Sequence, residues 1–200
     1  KKSLSQYEQF LTSRNRILKR IREGQGRADE LNYWTDELVS QGGVVSSKRI
    51  AFFDFINSLT TPLGEFKFEY SPSEISKEKL LETNGREVAA AQTLIGPHRD
   101  DYHIQLEGRN MAHFGSRGEQ RTATLAFKLA QLEYMAKILG QRPILLLDDV
   151  FSELDANHRA HVVEIVSKQQ TIIATVELEN IPQDFLDSSR ILKVENGKIV

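Results

Sequence analysis

Two adjacent carboxylates, Asp148 and Asp149, close a run of four large aliphatic residues, Ile144-Leu145-Leu146-Leu147. A run without alternation predicts a short strand buried on both faces, as in a parallel sheet. Ligands in open α/β sheets gather beyond the carboxyl ends of strands, so both aspartates fall where chemistry is done. Neighbouring carboxylates repel, and a divalent cation or a transferable proton between them offsets that cost. An acidic cap at a strand-to-helix turn explains the same pair without any ligand. Upstream, Ser116-Arg117-Gly118-Glu119-Gln120-Arg121 leads into an amphipathic helix. A serine and a glycine at a helix start offer backbone N–H groups to an anion, and Arg117 and Arg121 add charge-assisted bonds. Glu119 repels an anion unless it caps the helix, and a plain helix cap is the competing account of this turn.

These groups need elements to position them. From about residue 93 the pattern reads strand, helix, strand, helix, strand, which is an α/β arrangement. Tyr102, Ile104 and Leu106 alternate in a strand, Gly108-Arg109-Asn110 marks a turn, and Met111 to Phe114 reads as a short return strand. Leu125, Leu129, Leu132, Ala136 and Leu139 stripe a long helix that Gly140 ends. The aspartate strand follows, then a helix over 154–166, a buried strand over 171–176, and a terminal hairpin around Glu195-Asn196-Gly197. The first ninety residues read differently. Apolar spacing predicts a helix over 4–22 and a second over 31–59 antiparallel to it, weakened at Gly42-Gly43. A strand over 65–70 and a short helix over 76–83, ending near Asn84-Gly85, complete a helical arm or lid with little titratable clustering.

Composition narrows the partners. The 200 residues carry a formal net charge of −2, so no overall basic field advertises a polyanion. A local basic face remains: the stretch from Arg14 to Arg27 holds six basic residues against one acid. The absence of cysteine excludes disulfides and thiolate sites. No apolar run reaches membrane-spanning length and no signal-type segment opens the chain, so a cytoplasmic location without membrane contact is expected. His158 and His161 lie three apart on a helix, but no third ligand is near them in sequence.

Taken in order, Ser116 to Arg121, a helix, Leu-Leu-Leu-Asp148-Asp149 and then Ser152-Glu153-Leu154-Asp155 resemble the carboxy-terminal half of an ABC-type ATPase head. The three segments are similar to a signature motif, a Walker B strand and a D-loop. Within that group the chain resembles the RecF family of SMC-related heads, also through Arg14-Asn15 with Leu18-Lys19, the Trp34 helix and Leu94-Ile-Gly-Pro-His-Arg-Asp-Asp101. The resemblance implies an α/β head half with a mostly parallel sheet (residues 91–200) behind an amino-terminal helical arm (residues 1–90). It implies ATP and Mg2+ as cofactors, with Asp148 orienting the Mg2+ on the nucleotide phosphates and Asp149 polarising the attacking water. Asp in place of the usual Glu suits a slow, switch-like ATPase. Ser116, Gly118 and Gln120, in a signature turn with Arg117, Glu119 and Arg121, are implied to meet the γ-phosphate bound by the opposite protomer. Ser152 and Asp155, in a D-loop with Glu153 and Leu154, would couple the two sites, and Thr175 stands where many such proteins carry a switch histidine. Arg14, Arg16, Lys19, Arg20 and Arg22 are the implied DNA contacts.

The implied function is an ATP-dependent, homodimerising DNA-binding switch on gapped or junction DNA, acting with RecR and RecO to help load RecA. An SMC-like chromosome-organising head, an ABC transporter subunit and a non-hydrolysing dimer scaffold are the competing readings. No G-x-x-x-x-G-K-[ST] occurs in these residues, which also begin without Met. A Walker A lobe is therefore expected upstream, and these residues alone are expected to bind nucleotide poorly.

Overall fold

The computed structural model describes residues 2–61 and 63–200, without the side chains of Glu153, Ala156 and Asn157. The chain divides into two compact units, Lys1–Phe55 with Phe68–His103, and Ile56–Lys67 with Ile104–Val200.

Helix α1 (Lys2–Arg22) and helix α2 (Leu31–Asn57) form most of the first unit. Tyr7, Leu38 and Val45 pack at one level, with Ile17, Leu18 and Leu31 at another. Helix α2 runs unbroken through Gly42-Gly43, where a weak point was expected. A Cβ at Gly42 would lie 2.9 Å from Ile75 and 3.2 Å from Tyr7, so the missing side chain is what lets these elements meet. Strand β1 (Phe66–Ser71) follows, and its Tyr70 stacks on Phe53 with ring centroids 4.8 Å apart. Helix α3 (Lys77–Ala90) starts at the Ser76 cap, as the sequence suggests, but passes through Asn84-Gly85 to end at Ala91 in the left-handed region. The reason lies beyond the glycine. Glu87, fully buried, holds the last turn in place through Arg14.

That contact corrects two expectations. Arg14 was expected on an exposed basic face, yet it is 1% exposed. Its guanidinium donates to Glu87 at 2.7 Å, to Thr93 Oγ1 at 2.8 Å and to Thr35 Oγ1 at 3.2 Å. Asn15 Oδ1 accepts from both the backbone N–H and the hydroxyl of Thr93. Removing either partner of a buried ion pair costs about 3–5 kcal/mol, because the other charge is left unpaired. The arm also carries clustered titratable groups where few were expected. Asp100 accepts from Arg49 Nη1 at 2.6 Å, from Ser73 N–H at 2.8 Å and from the Tyr70 hydroxyl. Burial, then that bond to Asp100, pushes the Tyr70 hydroxyl up to about 12. The Gly96–Asp101 turn therefore packs within this unit as a structural junction.

The second unit contains the elements of chemical interest. Strand β2 (Asp101–Leu106), which enters it, turns at Glu107-Gly108, both at positive φ, into β3 (Arg109–Asn110). Met111 to Phe114 is not the expected return strand but a short helix, α4 (Met111–Phe114). Asn110 caps it by accepting from Ala112 N–H, an alternative to continuing the ladder. Helix α5 (Arg117–Leu139) ends at Gly140 with φ 67°. Strand β4 (Leu145–Asp148), helix α6 (Ala156–Val166) and strand β5 (Thr171–Ala174) make a βαβ unit with parallel pairing, Leu145 opposite Thr171 and Asp148 opposite Ala174. The strand is not buried on both faces as expected: Leu146 is 70% exposed and Ile172 58%. Among the described residues β4 and β5 form a two-stranded sheet, covered well on one side only. Helix α7 (Gln183–Asp187) and a hairpin of β6 (Val194–Glu195) and β7 (Lys198–Ile199), turning at Asn196-Gly197, end the chain. No helix among the described residues is long and apolar enough to cross a membrane.

His98 generates a pH test of the first unit. Its Nε2 donates to Thr93 O at 3.1 Å, so its Nδ1 accepts the Tyr7 hydroxyl at 2.7 Å and the ring is neutral. Burial, the largest cause, holds its pKa below the usual histidine value. The unfolded chain takes up this proton near pH 6.5 and the folded chain does so only lower. Stability is therefore full above about pH 6.5 and falls as pH drops toward the lowered value. Denaturant unfolding between pH 7.5 and 5 should show this loss, and His98→Gln should flatten it.

Candidate ATPase half-site

The acidic end of β4 is shaped by one backbone constraint. Asp149 sits in the left-handed region, φ 48° and ψ 31°, and donates its N–H to Ala174 O at 2.9 Å. Asp and Asn reach this region at lower cost than branched residues do. The chain then enters a 3-10 turn, Val150–Glu153, closed by Ser152 Oγ donating to Asp149 O at 2.8 Å. Phe151 is fully buried beneath the turn, and Arg159 Nε donates to its carbonyl at 3.0 Å. Leu154 is buried too, while Asp155 caps α6 by accepting from His158 N–H and pairs with the His158 ring at 2.9 Å. The side chain of Glu153 lies outside the described residues. Both aspartates are exposed at the strand end.

Helix α5 supplies the second group. Ser116 Oγ accepts from Glu119 N–H at 3.3 Å and Glu119 Oε2 accepts from Ser116 N–H at 2.7 Å, a reciprocal capping box. The Ser116 N–H is the main reason that Glu119 titrates below the ordinary glutamate range. The acid is thus turned back on the helix end. A Cβ at Gly118 would meet nothing within 4 Å, so no packing inside the chain calls for glycine there. Gln120 Nε2 donates to Met111 O at 3.0 Å and to Gly115 O at 3.2 Å.

The two groups share an open cleft of about 830 Å3 between α5 and β4. Asp148 and Asp149 line it together with Arg117, Gln120 and Arg121. Ser116, Gly118, Glu119, Ser152, Asp155 and Thr175 are not among its lining residues. Thr175 lies beyond β5, where its hydroxyl donates to Glu177 O and accepts from Glu177 N–H. Lys128 also faces the cleft and was missed in the sequence. Its signal was there, since 117, 121, 124 and 128 recur at helical spacing on one face. At the far end, Arg142 holds α5 against β4 through a fork onto Glu133 at 2.9 Å and a bond to Gln169 at 3.0 Å. Among the described residues no group of three or more His, Asp or Glu is placed to hold a metal by itself. Two exposed carboxylates without a cage suit a cation that keeps most of its ligands from phosphate and water.

No family model matches the chain. The DNA replication and repair protein RecF of Chloroflexus aurantiacus is 35% identical across 99% of this chain and 57% of its own length. RecF of Bacillus mycoides is 33% identical across 98% of the chain and 58% of its length. A solved structure of the recombination mediator protein RecF with ATPrS, from the RecFOR pathway, matches with a TM-score of 0.79 and 25% identity over 98% of the chain and 57% of its own. RecF-ATP of the same pathway matches with a TM-score of 0.71 and 28% identity over 88% of the chain and 52% of its own. The chain is similar to RecF proteins along nearly all of its length, and its α/β architecture matches the ABC ATPase-like fold of the solved RecF structure. It spans a little over half the length of the curated relatives it matches.

The left-handed turn makes a prediction independent of any ligand. Asp149→Gly should leave unfolding free energy unchanged or raised, whereas Asp149→Val should lower it by roughly 1–2 kcal/mol. Equal stability of the two variants in urea would show that this backbone is not held as described.

Proposed function

We propose that this chain serves DNA replication and repair as the signature-bearing half of an ATP-dependent DNA-binding switch. In this reading residues 1–90 are a helical arm and residues 91–200 an ATPase head half. The observation that carries it is the pairing of a capped helix start, open at Gly118, with two exposed aspartates at the end of a parallel strand. Similarity to RecF proteins, among them the solved RecF-ATPrS and RecF-ATP structures, supports the same reading.

Bound Mg·ATP would supply the γ-phosphate and a cation seated between the phosphates and Asp148. Asp149, aimed outward by its left-handed turn, orients and polarises the attacking water. Ser116 and the free N–H groups of the first turn of α5 meet the γ-phosphate of a second copy, with Arg117 and Arg121 adding positive charge. ATP thereby becomes a ligand of the paired state, and hydrolysis releases the pair. Ser152 to Asp155 lie where the two copies would meet, and Thr175 faces the same end of the sheet. Duplex or gapped DNA is the proposed substrate, RecO and RecR the proposed partners, RecA loading the proposed outcome, and the cytoplasm the proposed location.

Three experiments on the intact protein test this. Asp149→Asn should slow ATP hydrolysis at least about a hundredfold and preserve ATP-driven pairing in sedimentation. Ser116→Arg should abolish pairing; pairing that persists would sink the signature role. For DNA, the exposed Arg16, Lys19 and Arg22 are the arm residues to change, because Arg14 is buried and Arg20 pairs with Glu30 at 2.7 Å. Replacing all three by Ala should weaken duplex binding and reduce the slope of log affinity against log salt by up to about 3. An unchanged slope would remove α1 from the DNA path.

A further inference from the structure

Gln120 is a signature residue whose side-chain hydrogen bonds conflict with a phosphate contact. Its side-chain nitrogen faces two carbonyl oxygens, Met111 O at 3.0 Å and Gly115 O at 3.2 Å. Carbonyls only accept, so the amide must present its NH2 to them, and both hydrogens are spent. The oxygen that remains is an acceptor, which repels phosphate.

The segment it grips needs holding. Helix α4 has four residues, too few to be stable by its own backbone bonds. Met111 is its one buried side chain, at 3% exposed, while Ala112, His113 and Phe114 face solvent. Besides Met111, the supports among the described residues include the Asn110 cap, the Gly115 N–H to Met111 O bond at 3.2 Å, and Gln120. A Cβ at Gly115 would lie 2.8 Å from Met111 O and 3.2 Å from Gln120 Cγ, so the turn closes tightly onto this side chain. The residue after Gly115 is Ser116, whose position sets the entry to α5.

We propose that Gln120 is a positioning residue for the paired state, clamping α4 and Gly115 so that Ser116 and the first-turn N–H groups are presented in fixed geometry. This rests on the reading that ATP pairs two copies through the α5 helix start. It departs from the expectation that Gln120 itself touches the γ-phosphate.

The test uses the intact protein and Gln120→Met, which keeps the length of the side chain and removes its donors. Without nucleotide, hydrogen exchange at the Gly115 N–H should become about tenfold faster, a change that loss of a phosphate contact would not cause. ATP-driven pairing should weaken by about tenfold in Gln120→Met and similarly in Asn110→Ala, which loosens α4 from its other end. In the double variant exchange at the Gly115 N–H should be at least as fast as in either single one, because both act on the same segment. Unchanged exchange at Gly115 in Gln120→Met overturns the proposal, and so does pairing that this substitution leaves at full strength. If Ser116→Arg leaves pairing intact, the reading beneath falls, while the exchange measurement still decides whether Gln120 is a brace.

Discussion

The parallel pairing of β4 with β5, finished by the Asp149 N–H on Ala174 O, is the constraint on which the head half depends. That last bond extends the ladder one residue past the strand, and there Asp149 takes the left-handed region. The chain then dives, burying Phe151 and Leu154, so Asp148 and Asp149 are left outward at the rim of the cleft. Strain of about 1 kcal/mol is thus stored where the chemistry is expected, and the buried Phe151 with its Arg159 bond holds it there.

The helical unit is organised by polar contacts rather than by its apolar seam alone. Arg14 reaches Glu87 and Thr93, Asn15 reaches Thr93, and Arg49 and Tyr70 converge on Asp100. Such buried groups add little net stability compared with apolar packing, but each fixes one partner and one register. Sliding α1 by a turn would strand a guanidinium in the core. The Leu94–Asp101 segment is accordingly held from three elements, and it leads directly into β2 and on toward the turn that starts α5.

Much of this was legible in the sequence because local chemistry decides it. Ser116 and Glu119 are spaced for a capping box, Asn196-Gly197 for a two-residue turn, and Leu145 to Asp148 for a parallel strand; all three form. What the sequence hid is long-range. Arg14 looks like one more surface cation until Glu87, 73 residues later, is folded against it. Gly85 looks like a helix end, but tertiary contacts at Glu87 outweigh a cost of about 1 kcal/mol. Gln120 looks like a ligand residue because a resemblance carries no hydrogen bonds, and its amide proves to be engaged within the chain.

On the proposed reading, the aspartates of one copy act with the helix start of another. Mixing decides it. Intact protein carrying Ser116→Arg and intact protein carrying Asp149→Asn are each expected to hydrolyse almost no ATP. In a mixed pair one site collects both defects and the other collects none, so mixing should restore hydrolysis to a sizeable fraction of the parent rate, rising with the mixed population. No recovery at any mixing ratio, with mixed pairs shown to form, would contradict a site shared between two copies.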